Sequence, residues 1–297
     1  MQNLLQALPS LKNLSLRAGP LQLLLRILPI VDKIPTLVFL QFLNSNQRFN
    51  RLDEPIPIPE INANIETLKF SCTLYNNPPP PPMLYQTLLP YYIGRLRILE
   101  IDGRIINLPL ISLLSSSHLR TLTFTGRPPT IDSSQILHGI SKIESLENLT
   151  IWFREIKEDG PPFILASRTA EMPLALTTFK MSNLKPEDQI LSYLGADTTS
   201  VTLLHNPRQT LISDEICYAA PTSTQLLEKL QSSRLGISLV ELRFAIHGEI
   251  DCQLLRFIAA AYPNIVTLEI QRCWSDGLTR FPEIEVCQLS QCIRMIL

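Results

Sequence analysis

Histidine and cysteine are the residues of this 297-residue chain best suited to bind a metal ion or to act in catalysis. The four histidines, His118, His138, His205 and His247, are far apart, and none belongs to an HExxH or a His-x3-His arrangement. No Cys-x-x-Cys pair supplies the complementary ligands of a zinc site. The sequence therefore predicts no metal site.

The motifs of nucleotide-binding and hydrolytic enzymes are also missing from the sequence. It contains no Gly-x-Ser-x-Gly elbow, no Walker loop and no Gly-x-Gly-x-x-Gly. Ten glycines beside 24 prolines favour frequent element boundaries over phosphate-binding loops. We therefore expect a protein that is not an enzyme and that uses no cofactor.

Charge and hydropathy restrict the class of partner. The 26 basic and 27 acidic residues give a net charge of −1, so we expect no nucleic acid partner. The most apolar stretches, 21–31 and 105–114, are shorter than the about 18 to 20 residues that span a membrane. Residues 1–16 lack the basic and apolar regions of a signal peptide. We therefore expect no membrane attachment and no secretion.

Cysteine usage indicates a reducing compartment. The six cysteines are dilute and do not form the close pattern of a secreted disulfide scaffold, so we expect an intracellular protein of the cytoplasm or nucleus. Cys287 and Cys292 lie five residues apart in a tail that could be helical. We interpret them as two small buried residues in preference to a redox or metal pair.

A short leucine-rich pattern recurs along the chain and predicts its architecture. Residues 7–16, 33–42 and 261–270 each read Pro-x-Leu-x-x-Leu-x-Leu, with Ile or Phe at some of the apolar positions. Without the proline, the pattern occurs ten times at intervals of 22 to 41 residues. The copies begin at Leu11, Leu37, Ile65, Leu96, Leu119, Leu146, Leu176, Thr198, Leu239 and Ile265.

Each copy has the pattern of a short β-strand with one buried face. Positions four and six are apolar and point inward, whereas positions three, five and seven point outward. Ser133 or Ser134 is suited to cap the first of the intervening helices. Those helices are predicted at 133–143, 188–194, 223–231 and 252–261.

A single strand and helix of this size cannot bury their apolar residues alone, so the copies are expected to stack. The predicted fold is an α/β solenoid of about ten irregular leucine-rich-repeat-like units. We expect a curved parallel sheet on its concave side and helices on its convex side.

The array is expected to be a single domain over residues 1–274. Loop insertions are predicted near 72–83, which includes the five prolines Pro78–Pro82, and near 205–222. Residues 275–297 are expected to form a C-terminal tail or a truncated copy. Because no capping element is recognisable at either end, we also expect a fragment or a truncated gene product, with a genuine short paralogue as the alternative.

The units resemble leucine-rich repeats of the ribonuclease-inhibitor-like class, and their irregular spacing and proline content resemble the repeat regions of fungal F-box proteins. The resemblance covers about residues 4 to 274. The Asn or Cys that such repeats carry at position nine is present in only two copies, as Asn206 and Cys273.

This resemblance implies a non-catalytic protein-binding module, similar to the substrate-recognition repeats of an F-box-type ubiquitin-ligase adaptor. No F-box precedes Leu11, so a ligase adaptor is an expected partner only if the full gene product contains that module. The alternatives are a truncated or degenerate repeat protein without binding function and an enzyme on a solenoid scaffold. The enzyme would need convergent acids or a metal cluster.

Positions three and five predict where a protein partner binds on the concave side. Thr is frequent there because β-branched residues suit an exposed strand. Strand propensity does not explain the apolar, aromatic and charged side chains at these positions, and such side chains are suited to contact a partner. Trp152 adds an aromatic side chain at position seven. The candidate binding residues are Phe39, Gln41, Lys69, Ile98, Glu100, Thr123, Trp152, Lys180, Arg243 and Glu269.

Overall fold

A computed structural model describes the following residues: 10–18, 30–31, 33–44, 64–72, 89–153, 163–165, 174–204, 220–273 and 284–287. They show an α/β protein in which short strands pair in parallel and helices lie between strands in the sequence, so this part of the expected fold is confirmed. The chain divides into two compact units, residues 1–131 with 142–145 and residues 132–141 with 146–297. The single array predicted over residues 1–274 stays a prediction.

Among the described residues, the first unit contains five strands that pair in parallel and in chain order. A 3₁₀ helix at Gly103–Ile105 leads to helix α1, Leu108–Leu114, whose first turn is capped by the Asn107 side chain at 2.9 Å from the Leu110 N–H. The strands are β1 (Asn13–Ala18), β2 (Phe39–Asn44), β3 (Thr67–Cys72), β4 (Ile98–Asp102) and β5 (Thr121–Gly126).

In the part of the chain that the structure describes, the second unit contains five further parallel strands and one antiparallel strand. Its helices are α2 (Ser133–Ser141), α3 (Ser223–Ser232) and α4 (Cys252–Ala261), with a 3₁₀ helix at Ile190–Tyr193. Its strands are β6 (Asn148–Phe153), β7 (Thr178–Ser182), β8 (Ser200–Leu204), β9 (Glu241–His247), β10 (Thr267–Cys273) and the antiparallel β11 (Ile284–Cys287).

The register expected from the leucine pattern is confirmed. Position four is buried in every described strand from β2 to β10, and position six is buried in every one whose side chain is described. In β1 the corresponding Leu14 and Leu16 are half-buried. Because neighbouring strands pair residue by residue, as Leu40 with Leu68 and Leu68 with Leu99, these side chains form continuous apolar rows.

The start of the strands carries a recurring set of hydrogen bonds. The position-two carbonyl of one copy accepts the position-two and position-three N–H groups of the next, as Glu66 O does from Arg97 N at 2.8 Å and Ile98 N at 3.0 Å. Hydroxyls bond the position-one carbonyls of the preceding copy: Thr36 to Leu11 O at 2.9 Å, Ser145 to Leu119 O at 2.9 Å and Thr198 to Leu176 O at 2.8 Å. Side chains therefore satisfy backbone groups at this end of the strands.

The end of β4 is stabilised by a buried ion pair. Asp102 is fully buried, and its carboxylate accepts hydrogen bonds from Arg104 Nε at 2.9 Å, Arg104 Nη2 at 2.9 Å and Arg104 N at 3.0 Å. Gly126 closes β5 beside this pair with a φ of 75°. A Cβ atom at Gly126 would overlap the Asp102 carboxylate, so glycine is required there by conformation and by space.

Position seven is less exposed than the pattern predicted. Thr125, Trp152 and Leu204 are half-exposed, but four other position-seven residues are buried. Two of the buried side chains are held by hydrogen bonds: Asp102 accepts from Arg104 two residues later, and Ser182 donates to Phe153 O on the preceding strand at 2.9 Å. The buried set is Asp102, Ser182, Ala245 and Gln271.

Three of the four predicted helices are present, but the prediction for 188–194 is wrong. Only Ile190–Tyr193 is helical, and it is a 3₁₀ helix. The buried carboxylate of Asp188 accepts N–H bonds from Lys185 at 2.7 Å and from Leu165 at 2.5 Å, which commits the residues before the helix to a loop. Burial raises the pKa of Asp188 above its ordinary value, against the hydrogen bonds and lysine charges that lower it.

Two smaller expectations are corrected. The cap of α2 is Asp132, whose carboxylate accepts the Ser134 N–H at 2.9 Å, and not Ser133 or Ser134. The tail around Cys287 is not helical where it is described, because the alternating residues Ile284–Cys287 pair as a strand with the edge of β10. The two predicted insertions, Trp274 and Cys292 lie outside the described residues, apart from a few residues at the insertion ends.

Replacing an inward residue should unfold the first unit, whereas replacing its outward neighbour should not. Leu122→Asn loses about 1.5 to 3 kcal/mol of apolar burial and places an amide where no partner is provided. We expect a loss of about 3 to 5 kcal/mol in the free energy of unfolding by urea. The matched Thr123→Asn variant should change it by less than about 0.5 kcal/mol, and equal losses would contradict the register.

Gly126→Ala should destabilise the first unit mainly through Asp102. The left-handed backbone alone costs an alanine about 1 to 2 kcal/mol, and displacing the Asp102 carboxylate from Arg104 adds to this. A double-mutant cycle in urea with Asp102→Ala measures the added part, since that background has no carboxylate to displace. The cost of Gly126→Ala should fall to the backbone part there; an unchanged cost would refute the steric argument.

Candidate protein-binding faces

Six of the ten candidate binding residues lie together in the first unit. Their strands align Phe39, Thr67, Ile98 and Thr121 in one row of position-three residues, and Gln41, Lys69, Glu100 and Thr123 in a second row of position-five residues. All eight side chains are half-exposed, whereas the described side chains at positions four and six of these strands are buried. These eight residues are called the first-unit face.

The charge on the first-unit face is already paired. Lys69 Nζ lies 3.4 Å from Glu100 Oε2 on the adjacent strand and 5.9 Å from the centroid of the Phe39 ring on the other side. Gln41 accepts a hydrogen bond from Ser15 Oγ at 3.1 Å. The face therefore has a compensated ion pair at its centre, with the apolar side chains of Phe39 and Ile98 beside it.

The other four candidates belong to the second unit. Its position-three row is Asn148, Thr178, Ser200, Glu241 and Thr267, and its position-five row is Thr150, Lys180, Thr202, Arg243 and Glu269. These rows, together with Trp152 at position seven of β6, are called the second-unit face. Thr202 is buried, so the position-five row is interrupted at β8.

A cluster of three charges occupies the β9 and β10 side of the second-unit face. Arg243 lies between two carboxylates, with Nη1 3.1 Å from Glu269 Oε2 and Nε 2.5 Å from Glu241 Oε1. Ser200 Oγ donates to Glu241 Oε2 at 2.8 Å. Arg243 and Glu269 were predicted contacts, and the structure shows that they bind each other.

Glu241 and Ser200 were missing from the predicted contacts. The signal for Glu241 was its position two residues before Arg243, because residues two apart on a strand lie on the same side. Partial burial would raise the pKa of Glu241, but the Ser200 hydrogen bond and the charges of Arg243 and Lys180 lower it below its ordinary value. The cluster thus favours an ionised Glu241.

Lys180 and Trp152 differ from this cluster. The Lys180 side chain is exposed and makes no ion pair within the residues that the structure describes. Trp152 is half-exposed on β6, where Leu149, Ile151 and Phe153 point the other way and are buried. The second-unit face therefore carries one cation and one aromatic side chain that are open to solvent.

The described residues also include the helices and the His, Cys, Asp and Glu side chains that could span a membrane or hold a metal ion. Among them, no group of three or more His, Cys, Asp or Glu side chains is arranged to hold a metal ion. None of the described helices has both the length and the apolar composition needed to cross a membrane.

Comparisons with known proteins find no relative. No protein-family model, no curated protein and no solved structure matches the chain. The function proposed below therefore depends on the chemistry of the two faces.

Ser200→Ala should raise the pKa of Glu241 toward its ordinary value. The variant removes the hydrogen bond that favours the ionised carboxylate and leaves Arg243 in place. Because the folded pKa of Glu241 is lowered, its contribution to stability is present at neutral pH and is lost as the pH falls through that lowered pKa. In Ser200→Ala this loss should begin at a higher pH.

The measurement is an NMR titration of the glutamate carboxyl carbons. Thr267→Ala is the matched control, since Thr267 lies beside Glu241 on β10 and no hydrogen bond joins the two side chains in the described structure. An equal pKa change in both variants would show that Ser200 has no special role.

Proposed function

We propose that this protein is a non-catalytic protein-binding module of leucine-rich-repeat-like units, and that its partner contacts the first-unit and second-unit faces. The observation that carries the proposal is the strand register, which aligns the position-three and position-five side chains of successive strands in rows. The side chains at positions four and six pack the core, so the outward residues are not required for core packing and can suit a partner.

The composition of the faces supports recognition of a protein. Each face combines hydroxyl groups and both signs of charge with apolar side chains, which are Phe39 and Ile98 in the first-unit face and Trp152 in the second-unit face. Protein interfaces use this mixture, with aromatic and arginine side chains supplying most of the affinity. The rows lie on paired strands, which hold their side chains in fixed positions and lower the entropic cost of binding.

The resemblance to the repeat regions of F-box proteins suggests what is recognised. We propose that the chain selects a protein substrate, as the repeats of an F-box-type ubiquitin-ligase adaptor do, and that joining the ligase would require a separate F-box. We also propose that the protein is intracellular. Cys252 is a free and exposed thiol, which suits a reducing compartment.

Site-specific photocrosslinking in a cell lysate tests the proposed function. A photoreactive amino acid at Thr123 on the first-unit face should crosslink a defined protein, whereas the same group at Ser112, exposed on α1, should not. Equal yields at the two positions, or no product at Thr123 and at Thr150, would contradict the proposal. The chain should recover no ligase adaptor by itself.

A variant pair shows whether the crosslinked protein depends on the face. Ile98→Arg places a large charge in the position-three row between Thr67 and Thr121 and should lower the yield at Thr123 by about tenfold, the effect of a lost central contact. Ser112→Arg adds the same charge away from the face and should leave the yield unchanged. Circular dichroism and thermal melting establish that both variants are folded.

A further inference from the structure

The charged residues of the two faces differ in what they can offer a partner. Lys69 is paired with Glu100, and Arg243 is paired with Glu241 and Glu269. A partner that covers such a pair removes water from both charges, and the net gain in affinity is small. These five side chains therefore contribute mainly to shape, and to the exclusion of partners whose charges clash with them.

Lys180 differs from the paired charges of the second-unit face. Its position on β7 is between Thr150 on β6 and Thr202 on β8, neither of which carries a charge. The charge of Lys180 helps to lower the pKa of Glu241, but that carboxylate is already bound by Ser200 and Arg243. Lys180 is exposed and, within the described chain, is not part of an ion pair, so its charge is open to a partner.

Trp152 lies close to Lys180. It follows Thr150 by two residues on β6, and Thr150 is the register partner of Lys180 on β7. Standard strand geometry separates two such positions by about 8 Å between Cα atoms, within the reach of both long side chains. A lysine and a half-exposed tryptophan are thereby placed side by side among the hydroxyl groups of Thr150, Thr178 and Ser200.

We propose that the second-unit face binds an acidic peptide segment of its protein partner, with a Glu or Asp carboxylate on Lys180 and the apolar side chain next to it on Trp152. The inference rests on the proposed function, because it specifies the partner of the same face. A basic segment would be repelled by Lys180, and a neutral one would leave the ammonium group partly dehydrated without a counter-charge. The hydroxyl groups beside them can donate to the carbonyl groups of the peptide.

Three labelled peptides of equal length test this inference by fluorescence anisotropy with the full chain. The first alternates glutamate with leucine, the second replaces each glutamate with glutamine, and the third replaces each with lysine. The glutamate peptide should bind most tightly, and its affinity should fall as salt is added. If it binds no more tightly than the glutamine peptide, the inference is overturned.

Variants locate the binding site on the protein. Lys180→Gln should weaken binding of the glutamate peptide on the order of three- to five-fold, the effect of one partly exposed charge contact. Lys33→Gln removes an equally exposed lysine from the turn before β2 and should have no effect. Lys180→Glu should reverse the preference toward the lysine peptide. If Lys180→Gln and Lys33→Gln bind alike, Lys180 is not the contact.

The contribution of Trp152 is tested by two substitutions. Trp152→Phe should retain most of the affinity because it keeps an aromatic surface, and Trp152→Ser should lose it while circular dichroism shows a folded chain. Equal loss in both variants would exclude apolar packing on Trp152.

Failure of the inference and failure of the proposed function give different results. If the glutamine or lysine peptide binds best, or none of the three binds, the acidic-peptide inference is wrong. The proposed function is then judged separately by crosslinking at Thr123 and Thr150, which does not depend on the charge of the partner. Absence of both peptide binding and crosslinking would reject the two together.

Discussion

Burial of the position-four and position-six side chains in a parallel register is the constraint on which the rest of the structure depends. Each strand is too short to be stable by itself, and its apolar side is covered only when neighbouring strands align residue by residue. The same alignment places positions three and five of adjacent strands side by side. The core and the candidate binding faces are therefore two consequences of one register.

The strands could be predicted from the sequence because their signal is local and repeated: Leu68, Leu99 and Leu122 occupy equivalent positions of a period-two pattern. Features that depend on the turn after a strand or on contacts between copies carried no such signal. The residue at position nine differs from copy to copy, and in the fourth copy it is Arg104. Only the structure shows that Arg104 neutralises the buried Asp102 beside Gly126. The loop that replaces the start of a predicted helix at Asp188 likewise depends on Leu165, 23 residues earlier.

The sequence predicts which candidate binding residues face outward, but it does not predict how their charges pair. The pattern gave the position-five rows, with Lys69 and Glu100 in the first unit and Arg243 and Glu269 in the second, because outward positions follow from the strand period. Which charges neutralise one another depends on rotamers and cross-strand distances, which the pattern does not contain. Once the ion pairs are known, Lys180 and Trp152 become the side chains of the second-unit face with the most to offer a partner.

A substitution scan over residues 241–244 of β9 tests the central account most directly when each variant is scored for folded yield and for partner crosslinking at Thr150. Changes at the inward residues Leu242 and Phe244 should lower the folded yield. Changes at Glu241 and Arg243 should preserve the folded yield and alter crosslinking. A scan in which folded yield and crosslinking fall together at every position, without this alternation, would contradict the account.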